Sequence, residues 1–198
     1  MADRVAELEK HLSGTEMAIL KKLGELAGAT GMEAWLVGGL VRDLLLGVGA
    51  GAVDVVVEGD GLEFARKASK ELGANLVEYE RFLTATLQFP DLIRVDIATA
   101  RTETYEHPGA LPRVVRATVT DDMRRRDISI NAMALSITGG KFGELFDPFG
   151  GANDIKSKTV RVLHDRSFLD DPPRILRAAR FEARFGFAMD PHTLDLLR

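Results

Sequence analysis

The chain reads AWLVGGLVRDLLLG over residues 34–47 and, after a run of small residues, VDVVVEGDG over residues 53–61, and this stretch decides the fold. The pattern predicts a short buried strand, a glycine turn, a short helix, a loop and a second strand. Gly38 and Gly39 allow a ligand close to the backbone, and the free N–H groups at the start of the helix favour a phosphate there. Asp54 is an acid inside the valine run of the second strand, so its burial requires a partner or a metal ion.

A second acid lies in a later apolar segment. Residues 83–89 alternate between apolar side chains and Thr or Gln, which predicts a half-exposed strand; a turn at Pro90 then leads into a strand over residues 93–98 that contains Asp96. If the two acid-bearing strands are neighbours, Asp54 and Asp96 can share Mg²⁺ beside a phosphate. The alternatives are a tight packing turn at the glycine pair and an edge strand on which Asp96 faces water.

Composition limits the class of protein. The 198 residues are 45% hydrophobic, which is sufficient for one or two packed domains. Lysine and arginine (26) are outnumbered by aspartate and glutamate (30), so the net charge is -4 and any contact with nucleic acid is confined to a local patch. The absence of cysteine excludes disulfides, thiolate metal sites and cysteine catalysis. Residues 1–10 lack an apolar signal core and no run is long enough to span a membrane, so we expect a soluble, cytoplasmic protein.

Helical periodicity precedes the central stretch. Apolar residues recur at helical spacing from about Val5 to Ala27, with an interruption at residues 13–14. Thr15 is the predicted N-cap of the longer piece and Gly28 is its predicted stop.

The second half of the chain holds most of the arginines. Residues 101–122 have weak periodicity and contain Pro and Gly, which predicts a long, mobile loop of the kind that often carries function. The next helix is predicted to open at residues 124–127, with three arginines on a solvated face. A last helix is predicted from about Ser167, with acids and prolines in its first turn.

Four arginines recur on this last helix at spacings of three, three and four residues, so they share one face. No acid lies between Asp171 and Glu182, which favours a bound anion, whereas a solvated basic face is the plain alternative. The four are Arg174, Arg177, Arg180 and Arg184.

Five segments, in this order, resemble one family. They are residues 38–43, the strand at Asp54, RRDISINA at residues 125–132, residues 147–151 and DDPPRILR at residues 170–177. Together they resemble the bacterial class II tRNA nucleotidyltransferases (CCA-adding enzymes) and their poly(A) polymerase relatives, which are polymerase-β-like nucleotidyltransferases.

The resemblance, which runs from about Trp35 to the end of the chain, implies an α/β fold. It implies a polymerase-β-like nucleotidyltransferase head, with a mixed five-stranded sheet and helices, followed by a helical neck. We expect an N-terminal helical segment at residues 1–30, the head at residues 31–150 and the start of the neck at residues 151–198. The family's body and tail domains, which grip tRNA, are expected to lie outside this chain.

The resemblance also implies roles for individual residues. Gly39 and Arg42 would contact the triphosphate, Arg126 the nucleotide, and Asp171 and Arg174 the edge of the incoming base. Cytosine and adenine each present an amino donor beside an acceptor nitrogen, so one carboxylate and one guanidinium match both bases. Asp54 and Asp96 would be the catalytic acids that hold Mg²⁺. The complete nucleotide-binding set expected is Gly38, Gly39, Arg42, Asp43, Arg126, Asp127, Asn131, Asp171, Arg174, Arg177 and Arg180.

The chain departs from the family pattern at one position. The family's metal motif is Asp-x-Asp, whose two acids point to the same side of a strand, and this chain has Ala52-Val53-Asp54. An engineered inactive variant and a lineage that has lost or altered catalysis both remain open. Reduced turnover is the expectation in either case.

The expected activity is attack of a tRNA 3′-hydroxyl on the α-phosphate of CTP or ATP with Mg²⁺, which releases pyrophosphate. A poly(A) polymerase, an enzyme that adds only CC or only A, and a non-catalytic nucleotide- or RNA-binding module remain alternatives. The retained length of residues 101–122 argues against a CC-only enzyme, and Ala52 is the best support for the binding module.

Overall fold

The computed structural model describes residues 4–49 and 51–198; the first three residues and Ala50, in the small-residue run of the central stretch, lie outside the described residues. The α-helices of the described part are α1 (Arg4–His11), α2 (Gly14–Ala29), α3 (Gly39–Leu46), α4 (Gly61–Leu72), α5 (Val119–Arg124), α6 (Gly151–Ser157), α7 (Ser167–Asp170), α8 (Pro173–Phe185) and α9 (Pro191–Asp195). None of these helices is long and apolar enough to cross a lipid bilayer.

The strands form one large sheet and two small ones. They are β1 (Glu33–Val37), β2 (Val53–Glu58), β3 (Asn75–Tyr79), β4 (Thr84–Gln88), β5 (Arg94–Thr99), β6 (Arg101–Thr104), β7 (Arg113–Arg116), β8 (Ala134–Ser136), β9 (Leu145–Phe146), β10 (Thr159–Val160) and β11 (Ala188–Met189). The large sheet has the order β3-β4-β5-β2-β1-β8-β9, while β6 pairs with β7 and β10 with β11. Within the large sheet only β2 and β5 run parallel to each other.

The central stretch folds as its pattern predicts. Strand β1 is buried from its second residue onward, a turn at Gly38 leads into α3, and β2 returns antiparallel to β1. The mixed α/β fold is confirmed, but the large sheet has seven strands where five were expected. The additional strands come from the short segments β8 and β9, which extend the sheet beyond β1.

Alternation along the strands separates two apolar layers. Val53, Val55 and Val57 of β2 join the main core beneath α2 and α4, whereas Val56 faces the opposite side with α5. Because side chains of a strand alternate between faces, Asp54 lies on the α5 side of the sheet. Asp54 and its register partner Asp96 therefore occupy the face opposite the main core.

Helix α2, the longer piece of the predicted N-terminal helix, begins and ends at different residues from those predicted. Ser13, and not Thr15, caps α2, because its hydroxyl accepts from the Glu16 N–H while the Glu16 carboxylate accepts from the Ser13 N–H. The helix continues past Gly28 to Ala29, and the Thr30 N–H and hydroxyl satisfy the last carbonyls.

The prediction of a long loop at residues 101–122 is wrong. Strands β6 and β7 pair as a hairpin, and α5 begins within the same segment, where Thr118 and Asp121 form a capping box. Because α5 starts this early, the arginine run at residues 124–126 ends a helix instead of opening one.

The last predicted helix is two helices. Asp171 separates α7 from α8, with φ of -136° and ψ of 85°. The cause is Pro172, since a residue before proline is pushed out of the α region.

Candidate functional site

The two strand acids are neighbours. In the parallel pair of β2 and β5, Asp54 is the register partner of Asp96, so both carboxylates stand at the same level on the same face of the sheet. The prediction that the acid-bearing strands lie side by side is confirmed, and the alternative of Asp96 on an edge strand is wrong.

Asp54 is held in an environment that opposes its charge. Burial, and then the nearby negative charge of Asp96, raise the pKa of Asp54 to about 6, although Arg126 and Arg94 act in the opposite direction. Its carboxylate accepts no hydrogen bond from the residues that the structure describes. Asp96 differs, because one of its oxygens accepts from Thr86 and from Arg94. A cation placed between these acids would relieve the repulsion.

A cavity of about 580 Å³ lies beside Asp54, between the glycine turn, the α5 end and the start of α8. Its walls include most of the residues that the sequence predicted to bind a nucleotide. Those residues are Gly38, Gly39, Arg42, Arg126, Asp127, Asn131, Asp171, Arg174 and Arg177. Tertiary structure thus gathers these residues, from three separate segments of the chain, around one space.

The glycine turn needs glycine at its first position. Gly38 has φ of +70°, and a Cβ at this residue would lie 3.2 Å from Nη1 of Arg126. Arg126 therefore extends across the turn at the N-terminus of α3. Arg126 is fixed by Asp122, which accepts from its Nη2 at 3.0 Å. Burial acts to raise the pKa of Asp122, but ion pairs with Arg126 and Arg125 outweigh it and lower that pKa.

Arg42 is fixed from several directions. Its guanidinium donates to the Asp43 carboxylate at 2.8 Å and to the Asn131 side-chain oxygen at 2.7 Å. It also lies over the rings of Phe181 and Phe185 of α8, 5.3 and 5.1 Å from their centroids. Such a residue presents its remaining N–H groups to the cavity without losing rotamer freedom on binding.

A chain of polar contacts continues across the cavity wall. The Asn131 amide donates to Asp127 at 3.0 Å, and the other Asp127 oxygen lies 3.1 Å from Nε of Arg177. Arg177 in turn donates to Asp171 at 2.7 Å. The arginines of the wall are therefore paired with acids, which orient them, and they do not form a solvated face.

Arg174 is the most buried member of the arginine face. It donates to the backbone carbonyls of Arg125 and Arg126 and to the Ser167 hydroxyl, and its Nε lies 3.3 Å from Asp171. Its side chain is 5% exposed, against 24% for Asp171. Asp171 is therefore the more accessible of the two residues expected to read a base.

Two expected residues lie outside the cavity wall. Asp43 is buried behind Arg42 as its ion-pair partner, and Arg180 is exposed, 5.7 Å from the Phe181 ring. Asp96 lines a neighbouring cavity of about 400 Å³, which shares Asp54, Arg125 and Arg126 with the first. The two cavities thus meet at Asp54.

Sequence reasoning missed the contribution of the β6–β7 hairpin. Glu103, Tyr105 and residues 109–112 line the larger cavity, as does Arg125. Glu103 accepts from Arg125 at 2.8 Å and from the Tyr105 hydroxyl at 2.8 Å. Burial and these contacts with Glu103 raise the pKa of Tyr105 to about 12. The β-branched residues on both sides of the Pro-Gly segment were the signal for this hairpin.

The acid pair fits a magnesium ion that is shared with a substrate. Mg²⁺ in nucleotide sites commonly takes one or two carboxylates together with phosphate oxygens and water. Asp54 and Asp96 supply such a pair, and the larger cavity offers space for the phosphates. Within residues 4–49 and 51–198, no group of three or more His, Cys, Asp or Glu side chains could hold a metal.

Comparison with known proteins gives a consistent result. The chain is 43% identical to an A-adding tRNA nucleotidyltransferase of Halalkalibacterium halodurans over 98% of this chain and 46% of the relative. It is 40% identical to a CC-adding tRNA nucleotidyltransferase of Deinococcus radiodurans, over 92% of this chain and 49% of the relative. The chain therefore spans about half the length of these curated relatives.

Solved structures agree. A CCA-adding enzyme in an apo form superimposes with a TM-score of 0.92 at 44% identity, over 98% of this chain and 46% of that one. A Thermotoga maritima CCA-adding enzyme in complex with tRNA gives a TM-score of 0.87 at 42% identity, over 98% of this chain and 44% of that one. The family described as the poly A polymerase head domain matches residues 34–161, and this chain belongs to that family.

Proposed function

We propose that this chain is the head and neck of a tRNA nucleotidyltransferase. In this proposal the protein adds C, A or both to the tRNA 3′ end from CTP and ATP, with Mg²⁺, and releases pyrophosphate. The observation that carries the proposal is the meeting of two cavities at Asp54, because the larger one would take a nucleotide and the other would leave access for an acceptor. Solved relatives in complex with ATP, with CTP and with tRNA support this choice of substrates.

The larger cavity would hold the incoming nucleotide. The N–H groups at Gly39 and the guanidinium of Arg42 would bind the triphosphate, and Arg126 would bind across the glycine turn. Asp171 and Arg174 would meet the edge of the base, with Arg177 orienting Asp171. A carboxylate beside a guanidinium accepts and donates in the order that cytosine and adenine require.

The reaction would take place at the acid pair. The acceptor 3′-oxygen, entering from the smaller cavity, would form a bond to the α-phosphorus while the bond from that phosphorus to the bridging oxygen breaks and pyrophosphate leaves. Asp54 and Asp96 would hold Mg²⁺, which supplies charge neutralisation and lowers the pKa of the attacking hydroxyl. Arg126 and Arg42 would hold the phosphates in line.

Ala52 limits this chemistry. The residue is exposed and immediately precedes β2, two positions before Asp54, where a carboxylate could face the same side. Because loss of one metal ligand removes charge stabilisation from the transition state, we expect nucleotide binding with poor transfer. The Ala52→Asp variant should transfer at least tenfold faster with nearly unchanged nucleotide affinity. If the variant changes neither turnover nor metal binding, Asp54 is not a metal ligand.

The activity itself is tested by transfer assays. tRNAs that end before CCA, after C and after CC separate CC-adding, A-adding and CCA-adding enzymes, and an unrelated RNA primer detects a poly(A) polymerase. A-addition is the first activity to assay, because the A-adding relative shares more sequence identity with the chain than the CC-adding relative does. Metal-independent nucleotide binding without turnover in any assay would favour the non-catalytic module. The domain boundaries and the cytoplasmic location remain predictions.

A further inference from the structure

We propose that Thr86 is a positioning residue of the acid pair: its buried hydroxyl fixes the Asp96 carboxylate so that one oxygen remains free for the cation shared with Asp54. The inference rests on the proposed function, because it concerns the cation site of that function. It adds a residue from β4, a strand that carries none of the acids.

The contacts of Asp96 are unequal between its two oxygens. The Thr86 hydroxyl donates to Oδ1 at 2.6 Å, and Nε and Nη2 of Arg94 donate to the same oxygen at 3.0 and 2.9 Å. Oδ2 accepts no hydrogen bond from the residues that the structure describes. One oxygen is therefore saturated with donors while the other keeps its lone pairs for a different partner.

Sheet register explains the direction of the carboxylate. Thr86 is the partner of Asp96 across the antiparallel pair of β4 and β5, and Asp54 is its partner across the parallel pair of β2 and β5. Asp96 thus stands between a hydroxyl on one side and a carboxylate on the other. A carboxylate whose Oδ1 is bound on the β4 side directs Oδ2 towards β2, where Asp54 lies.

Burial distinguishes Thr86 from the pattern of its strand. Alternation predicted that the threonines of β4 face water, but Thr86 is only 3% exposed. A buried hydroxyl needs partners, and that of Thr86 donates to Asp96 and accepts a longer hydrogen bond, of 3.4 Å, from Nη2 of Arg94. The short distance to a charged acceptor indicates a strong hydrogen bond.

Thr86, and not Arg94, is the principal orienting group. The Arg94 side chain is 60% exposed, so its ion pair with Asp96 is screened by solvent and holds the carboxylate only weakly. Its positive charge also repels a cation at the acid pair. The Thr86 hydroxyl is shielded and carries no net charge, so it does not repel a cation.

The test is a titration of the nucleotide-free protein with Mn²⁺, in which electron paramagnetic resonance measures the concentration of free Mn²⁺. We expect Thr86→Val, which keeps the branched shape, to weaken Mn²⁺ affinity by about tenfold, the low end of the loss seen when a partner of a metal-ligating group is removed. Thr86→Ser should restore most of the affinity. Thr84→Val is the matched control, because Thr84 lies two residues away on the same face and lines the same cavity.

The outcomes separate the inference from the proposed function. Equal affinity in Thr86→Val and Thr84→Val, or failure of Thr86→Ser to restore binding, overturns the role of Thr86. If Asp54→Asn binds Mn²⁺ as tightly as the wild-type protein does, the cation site itself is overturned, and the inference with it. Thermal unfolding of each metal-free variant checks that a loss of affinity is not a loss of fold.

Discussion

Asp54 is the residue whose ionisation the fold opposes most clearly. Its pKa is raised from 3.8 to about 6, so the native state binds its proton more tightly than the unfolded state does. The sign follows from linkage: relative to the unfolded chain, stability is highest below the unfolded pKa and falls as the pH rises through about 6.

Asp54→Asn should therefore stabilise the metal-free protein at about pH 8 and have little effect near pH 4. The expected gain at the higher pH is about 3 kcal/mol, from a shift of roughly two pKa units. Urea unfolding of both proteins in a chelating buffer, at each pH, measures this difference. A difference that is the same at both pH values would mean that the charge of Asp54 is not opposed.

Base selection is also decided at the residue scale. Asp171→Ala should weaken discrimination of CTP and ATP against UTP and GTP by about 1–3 kcal/mol, because an amino donor of the base loses its acceptor. Arg174 is less suitable for replacement, since it also binds two backbone carbonyls. Titration of all four nucleotides measures the effect, with Asp170→Ala as the control because Asp170 pairs with Arg166. Unchanged relative affinities would remove Asp171 from base reading.

At the scale of elements, α2 offers a matched pair of glycines. A Cβ at Gly24 would lie 1.8 Å from the carbonyl oxygen of Ile137, whereas a Cβ at Gly28 meets nothing within 4 Å. Gly24→Ala forces α2 away from the end of β8 and should cost roughly 2 kcal/mol or more. Gly28→Ala should be neutral or gain about 0.5 kcal/mol from helix propensity. Thermal unfolding compares them, and equal effects would contradict the packing of α2.

For the whole molecule, charge governs the contact with RNA. The net charge is -4, and the exposed basic residues are spread over the surface, with only Arg113 and Arg116 in the hairpin and Arg180 and Arg184 on α8. Affinity for a nucleic acid falls with salt in proportion to the number of phosphates that are contacted. This chain alone should therefore bind tRNA weakly, with binding nearly abolished at physiological salt in a filter-binding series. Tight binding that is insensitive to salt would show that the head itself recognises tRNA.

Local patterns predicted the elements best where the local signal was complete. The glycine turn and the valine run of β2 folded as expected, because burial, periodicity and glycine all favoured one structure. The hairpin of β6 and β7 was missed since its pairing partners are separated by a long connection with weak periodicity. Asp122 of α5 is a second feature that local patterns did not indicate. This buried acid holds Arg125 and Arg126 through ion pairs.

The sequence by itself determined the fold family, the two acids and most of the residues around the nucleotide-sized cavity, because each belongs to a short segment with a characteristic spacing. Tertiary structure alone decided how these segments meet. It placed Asp54 beside Asp96, put Asp43 behind Arg42, left Arg180 outside the cavity and brought Thr86 onto Asp96. The physical reason is that strand register and side-chain burial depend on residues far apart in the chain, which compete for the same partners only after the sheet has formed.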